Sequence, residues 1–236
     1  MTVNPSAIRR ASWTAPQAVK GDTIWKFASL GELDGLRKFA DAGRNLDEQD
    51  ERGFSPLCWA ARNGHMNILS FLIEKSCSIE KASFAGMRPL HHACNKNHEK
   101  VIKLLIYAGA YVDAVDENGD TPLHWAAARG VLNNVVALID AGANISAVNS
   151  QGVSSLHKAA IFGHLAIVKK LVDSGAKTNA TDSVGDTVLH YASRGGFANI
   201  VKYLIDMNVS QTQNAAGQYP KDVAASSAIT KLFILV

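Results

Sequence analysis

The sequence predicts an all-α repeat solenoid, and three observations carry that prediction. Gly53, Gly86, Gly119, Gly152 and Gly185 recur at a step of 33 residues. Leu57, Leu90, Leu123, Leu156 and Leu189 recur at the same step. Each leucine opens a related word: LCWAA, LHHAC, LHWAA, LHKAA and LHYAS. Self-similarity at this kind of period marks small units that cannot bury an apolar face alone and do so by stacking.

The clearest unit is DENGDTPLHWAAARGVLNNVVALIDAG, Asp116 to Gly142. Asn118-Gly119 is a turn pair that tolerates the positive φ of a tight hairpin. Thr121 can cap a helix, and Pro122 fits the first helical position, where its missing N–H costs nothing. Leu123, Ala126 and Ala127 follow at helical spacing, and Gly130 ends that short helix. Val135, Leu138 and Ile139 give a second helix its apolar face, which Gly142 closes in the left-handed cap position.

A 33-residue period with a T-P-L-H-x-A core resembles the ankyrin repeat family. The resemblance covers nearly everything from about residue 20 onward. It implies β-hairpin fingers, antiparallel helix pairs and about six to seven repeats. Residues 1–19 carry no repeat pattern and read as a flexible basic tail. Residues 20–236 form the repeat domain. Its first unit, 20–49, is a degenerate capping repeat, in which Ile24, Phe27 and Ala28 replace Leu, Ala and Ala. Fuller repeats follow at 50–82, 83–115, 116–148, 149–181 and 182–213, and 214–236 is a C-terminal half repeat. Terminal repeats are expected to be atypical because one side faces water.

Departures from the pattern have physical content. Ser76 takes the place of a helix-ending glycine, so a residue with a Cβ enters the left-handed region at about 1 kcal/mol. Arg88 replaces the capping Thr, which forfeits about 1 kcal/mol. Asn97 and Asn208 replace glycines, Asn134 takes an apolar position, and Ser154-Ser155 and Val188 replace Thr-Pro and Pro. The losses cluster in the second and third repeats, which makes that junction the expected soft point. The chain stops on the apolar run Phe233 to Val236, which reads as a truncation or a minimal cap.

The composition, 47% apolar and 19% charged, suits a chain that buries a core. The net charge is +3. Arg9, Arg10 and Lys20 supply it from residues 1–20, which contain no acid. The array itself is neutral, a poor match for a phosphate backbone, and no nucleic-acid partner is expected. No run approaches the roughly 20 apolar residues of a membrane span, and residues 1–20 lack the apolar core of a secretory signal. Three cysteines, Cys58, Cys77 and Cys94, suggest reduced thiols in cytoplasm or nucleus.

Several constellations are set aside. His91-His92-x-Cys94 with His98 resembles a metal cluster, but one histidine per repeat is spread along a rod rather than converging at about 2 Å. In the family that histidine hydrogen-bonds around the hairpin and helix start. Gly152-Val153-Ser154-Ser155 lacks the second glycine and preceding strand of a nucleophile elbow. No phosphate-cradling glycine loop is present. No metal, cofactor or catalytic residue is assigned, and the expected function is non-catalytic.

The resemblance implies a concave surface made by finger tips and the inner face of each first helix. Laid on this sequence, it assigns protein-binding roles to Arg52, Phe54, Trp59, Arg62, Phe84, Met87, Asn95, Lys96, Asp120, Trp125, Arg129, Phe162, Tyr191 and Arg194. Trp, Tyr and Arg are enriched at binding hot spots. Phe54, Phe84 and Phe162 are the expected exposed apolar contacts, while Trp59 and Trp125 either line the groove or pack sideways between helices. The expected protein is a monomeric adaptor or scaffold. The alternatives are a proteasome-assembly chaperone of the gankyrin type, to which 156–182 and 185–193 are similar, and the regulatory ankyrin segment of a larger enzyme. In the tail, Arg9-Arg10-Ala11-Ser12 resembles a basophilic kinase motif, which makes Ser12 a candidate phosphorylation site.

Overall fold

A computed structural model describes residues 23–234. Ser12 and its basic motif lie outside the described residues, as do Leu235 and Val236. The helices come in pairs: α1 (Ile24–Leu30) with α2 (Leu33–Asp41), α3 (Pro56–Asn63) with α4 (Met66–Glu74), and α5 (Pro89–Lys96) with α6 (Glu99–Tyr107). The series continues with α7 (Pro122–Arg129) and α8 (Leu132–Asp140), α9 (Ser155–Ile161) and α10 (Leu165–Asp173), then α11 (Val188–Gly195) and α12 (Ala198–Asp206). The closing helix α13 (Ser227–Leu232) packs on α12. First helices stack on first helices in chain order, and second helices on second helices. This is the predicted all-α solenoid.

The local chemistry of α7 shows why the unit folds. Thr121 is extended at the N-cap and Pro122 follows it inside the helix. Gly130 ends the helix at φ 83°, with its N–H on the Ala126 carbonyl. The five repeat leucines and the alanines behind them are buried. Small alanines let neighbouring helices approach, and each leucine fills the seam, a burial of roughly 1.5–3 kcal/mol per side chain. Glycine serves a second purpose at Gly130. A Cβ there would stand 2.5 Å from the His164 ring of the next repeat. The His164 Nε2 also reaches the Ala128 carbonyl at 3.2 Å. His65 and His98 repeat the arrangement on Ser29 and Arg62.

The fingers are turns rather than ladders. Among the described residues the β-pairing amounts to isolated bridges, Val148 with Ser154 and Thr181 with Thr187. In the fourth repeat the Asp116 carbonyl accepts from Gly119 N–H at 2.9 Å. Only Gly119 of the Asn-Gly pair uses positive φ. The Asp116 Oδ1 accepts from the N–H groups of Asn118 and Asp120, both at 2.9 Å, and so holds the turn from inside. Asp50, Asn149, Asp182 and Asn214 do the same in their fingers. Fingers are also tied to each other. Backbone N–H groups of Phe84, Glu117, Ser150, Ser183 and Ala215 donate to carbonyls of the preceding finger.

The third finger differs. Ser83 occupies the aspartate position, and its hydroxyl turns instead to the Met87 carbonyl and to His92. Phe84–Gly86 forms a 3-10 turn in which Ala85 and Gly86 both have positive φ. Non-glycine residues with positive φ are Ser76, Ala85, Asn97 and Asn208, so three of the four fall between 76 and 97. Each such residue carries a steric cost of about 1 kcal/mol, somewhat less for Asn. At the cap of α5, Arg88 N–H still reaches His91 Nδ1 at 3.1 Å, but an arginine side chain offers no acceptor to the helix.

This clustering sets two expected outcomes. Amides of residues 76–98 should exchange faster than those of 119–142, as hydrogen-exchange mass spectrometry would read. Ser76→Gly should raise unfolding free energy by up to about 1 kcal/mol in urea titration. Equal protection of the two stretches would remove the soft junction.

Candidate protein-binding surface

The residue after each Leu-His word faces the inner side and reaches back to the root of its own finger. Trp59 Nε1 donates to Asp50 Oδ2 at 2.9 Å, Trp125 Nε1 to Asp116 Oδ2 at 3.0 Å, and Tyr191 hydroxyl to Asp182 Oδ2 at 2.6 Å. One carboxylate therefore holds the turn with one oxygen and an inner-face aromatic with the other. Where the finger residue is Ser83, the partner is His92 at 2.6 Å. Where it is Asn149, Lys158 turns instead to Asp120 of the preceding repeat, at 2.8 Å. Burial pushes His92 down to about 3. Burial, then the bond to Asp182, push the Tyr191 hydroxyl well above its ordinary value.

Four assigned binding residues sit elsewhere than expected. Phe54 is only 5% exposed, because its ring stacks on Trp59 at 4.6 Å and lies against His92. Trp59 is buried in the same stack, on the phenylalanine of its own finger. Met87 is buried at the base of its finger. Asp120 is buried too, because Asn149 Nδ2 and Lys158 Nζ both bind its carboxylate at 2.8 Å. Repeat position alone does not separate a finger tip from a finger base, and Phe54, Met87 and Asp120 belong to the base, while Trp59 lies within α3.

The others are exposed or half-buried. Phe84 is 60% exposed and Phe162 41%. Arg52, Lys96 and Arg129 are exposed, while Arg62, Asn95, Trp125, Tyr191 and Arg194 are half-buried. Arg62 lies over the Phe54 ring at 5.9 Å, and Arg194 over the Tyr191 ring at 5.6 Å. Arg129 Nε donates to Asn95 Oδ1 at 2.8 Å. Arg194 pairs with Asp186 at 2.7 Å. Burial alone would raise the Asp186 carboxyl, but hydrogen bonds from Arg194 and Asn214 hold it below its ordinary value. The roles of the finger aspartates Asp50, Asp116 and Asp182 were not read from the sequence. Their signal is a nine-residue offset between Asp50, Asp116 or Asp182 and the following aromatic.

The histidines of the repeat word join one repeat to the next. His124 Nδ1 accepts the Thr121 N–H at 3.1 Å, so Nε2 carries the proton and donates to the Val153 carbonyl at 3.0 Å. His91, His157 and His190 make the matching bonds to Asp120, Ala180 and Gln218. In the second repeat Cys58 takes this position and its thiol donates weakly to the Lys81 carbonyl. Burial pushes that thiol up to about 11. Among the described residues no group of three or more His, Cys, Asp or Glu converges as metal ligands. No helix among them is long and apolar enough to cross a membrane.

Comparison with known proteins decides the family. The family model for ankyrin repeats in three copies matches residues 24–116 and 102–182, and the single ankyrin repeat model matches 184–214. The chain belongs to the ankyrin repeat family. This ankyrin repeat protein superposes on the ankyrin repeat domain of Bcl-3, a member of the IkappaB protein family. The TM-score is 0.77 at 26% identity, over 91% of this chain and 99% of that one. The human ASB11 ankyrin repeat domain gives a TM-score of 0.82 at 26% identity, over 91% of this chain and 97% of that one. Among curated proteins, human DNA-binding protein RFXANK is 40% identical over 60 residues, 25% of this chain and 23% of that protein. Acyl-CoA-binding domain-containing protein 2 of Arabidopsis thaliana is 38% identical over 58 residues, 25% of this chain and 16% of that protein. The shared stretch thus spans less than a quarter of either curated relative. Ankyrin repeat domains are general protein–protein interaction modules and typically non-catalytic.

The buried histidines set a pH dependence for this ankyrin repeat protein. Burial holds His91, His124 and His157 below the ordinary histidine value of 6.5, against the pull of nearby aspartates. The unfolded chain therefore takes up these protons first as pH falls, so the stabilisation is full above about 6.5 and declines below it. Thermal melts from pH 8 to 5 should show Tm falling on the acid side. His124→Gln should cost about 1–3 kcal/mol at pH 7.5 and make the acid fall shallower. An unchanged acid slope in that variant would remove His124 from the effect.

Proposed function

We propose that this ankyrin repeat protein is a non-catalytic adaptor that holds a protein partner in the concave groove of its array. The observation that carries this reading is the row of inner-face side chains, Trp125, Tyr191 and Arg194 among them, each fixed by a carboxylate of a finger. Side chains already locked in one geometry lose little entropy on binding, which favours recognition. Phe84 and Phe162 stand beside them as exposed apolar contacts. An interface of ordinary size, roughly 800 Å² on each partner, matches the fingers of four or five repeats. The buried, unpaired thiols of Cys58 and Cys94 fit a reducing compartment, cytosol or nucleus.

The test is affinity capture with the full chain beside two double variants. Phe84→Ser with Phe162→Ser alters the inner side, and Tyr107→Ser with Tyr111→Ser alters exposed tyrosines elsewhere. A partner held by the wild type and the tyrosine variant but lost from the phenylalanine variant, with circular dichroism unchanged, is the expected result. The opposite pattern would overturn groove binding.

A further inference from the structure

The inner surface is electrostatically uneven. In repeats five and six its cations are neutralised, Lys158 by Asp120 at 2.8 Å and Arg194 by Asp186 at 2.7 Å. In repeats two to four they are not. Among the described residues, no carboxylate lies within ion-pair distance of Arg52, Arg62, Lys96 or Arg129. The surrounding acids have other tasks. Asp50 and Asp116 bind finger N–H groups and a tryptophan each, and Asp120 binds Lys158 and Asn149. The remaining carboxylates of these fingers, Glu51 and Glu117, are exposed at the tips.

The cations also crowd one another. Burial, then the charge of Arg52, lower the affinity of Arg62 for its proton. Burial, then Arg62 and Arg129, do the same to Lys96. Lys96 and Arg129 hold the same place in successive inner helices, 33 residues apart, and Arg62 stands in the last turn of the helix before them. Phe84 stands exposed on the finger whose backbone bonds to the Arg52 carbonyl at 3.0 Å. Basic residues in the last turn of a helix also complement its dipole, but a dipole does not require three adjacent helices to present them uncompensated.

We propose that the inner face of repeats two to four is a docking site for an acidic, extended peptide segment of a protein partner, its carboxylates on Arg62, Lys96 and Arg129 and an apolar side chain against Phe84. The inference rests on the groove reading and names the chemistry of its occupant. The spacing is a prediction in itself. Adjacent packed helices lie about 10 Å apart, and an extended chain advances about 3.3 Å per residue. Acidic residues about three apart therefore meet successive repeats. A peptide with discrete carboxylates suits the site better than a nucleic acid. The array as a whole is neutral, and a continuous phosphate backbone would run onto Glu51 and Glu117.

The experiment is selection of a random 12-residue peptide display library on the full chain, followed by fluorescence anisotropy of the enriched sequences. Enriched peptides are expected to carry two or more Asp or Glu at three-residue spacing beside a hydrophobic residue. Their affinity should fall about tenfold or more in Arg62→Glu, Lys96→Glu, Arg129→Glu, and also when salt is raised from 50 to 500 mM. The neutral triple Arg62→Gln, Lys96→Gln, Arg129→Gln serves if the reversal does not fold. The triple Lys100→Glu, Lys177→Glu, Lys202→Glu, placed away from the inner helices, should leave binding unchanged.

Enriched peptides that are neutral or basic, yet are lost in Phe84→Ser with Phe162→Ser, would overturn the acidic chemistry and leave the groove standing. Peptides indifferent to every inner-face substitution would overturn both. Tight binding of a 20-nucleotide single strand or of phosphatidylserine vesicles, lost in the charge reversal while acidic peptides show no binding, would replace the peptide as occupant.

Discussion

In the second, fourth and sixth repeats one carboxylate carries two jobs, and the architecture of those repeats depends on both. With one oxygen, Asp50, Asp116 and Asp182 gather the N–H groups of their own turn. With the other, each holds the Trp or Tyr that the following helix turns inward. Remove it and the turn loses its internal acceptor while a polar N–H or O–H loses its partner in a partly buried place. The same residue thus links the shape of the finger to the orientation of the inner surface. The turn of the finger and the orientation of the inner aromatic use one set of bonds.

Stacking of repeats follows from equally local rules. The repeat-word histidine accepts from its own helix cap and donates to the next finger, so its tautomer is set by the first bond and its reach by the second. The second-helix histidine lies over the glycine of the preceding repeat, where a methyl group would not fit. Neighbouring repeats are therefore matched at three levels: finger to finger through the backbone, cap to finger through one imidazole, and helix end to glycine through another. Leucines and alanines supply the apolar area, and these polar contacts supply the register.

The fold was legible because its signal is periodic. Leu123 and its equivalents repeat at 33, and Pro122, Gly130 and Gly142 mark the boundaries that the helices obey. The inner surface was legible only in part. Phe54, Phe84 and Phe162 look alike in a sequence, but the Phe54 ring at the finger base packs on Trp59 and His92, whereas Phe84 on its finger and Phe162 at the end of α9 are largely exposed. That distinction depends on which side chains arrive from neighbouring repeats. The pairing of Lys158 with Asp120 was hidden for the same reason, since 38 residues separate the two and no single repeat contains both.

The third finger has a consequence for how the array carries load. Among the described residues every other finger is clamped by an Asp or Asn, whereas Ser83 is too short to gather its turn, and Ala85 sits where a side chain is strained. A rod built of segments joined only to their neighbours distributes bending unequally, and curvature accumulates at the most compliant joint. Arg62, Lys96 and Arg129 stand on three successive first helices around that joint, so a bend there would change their spacing. A serine in place of one aspartate would thus tune the distance between three cations.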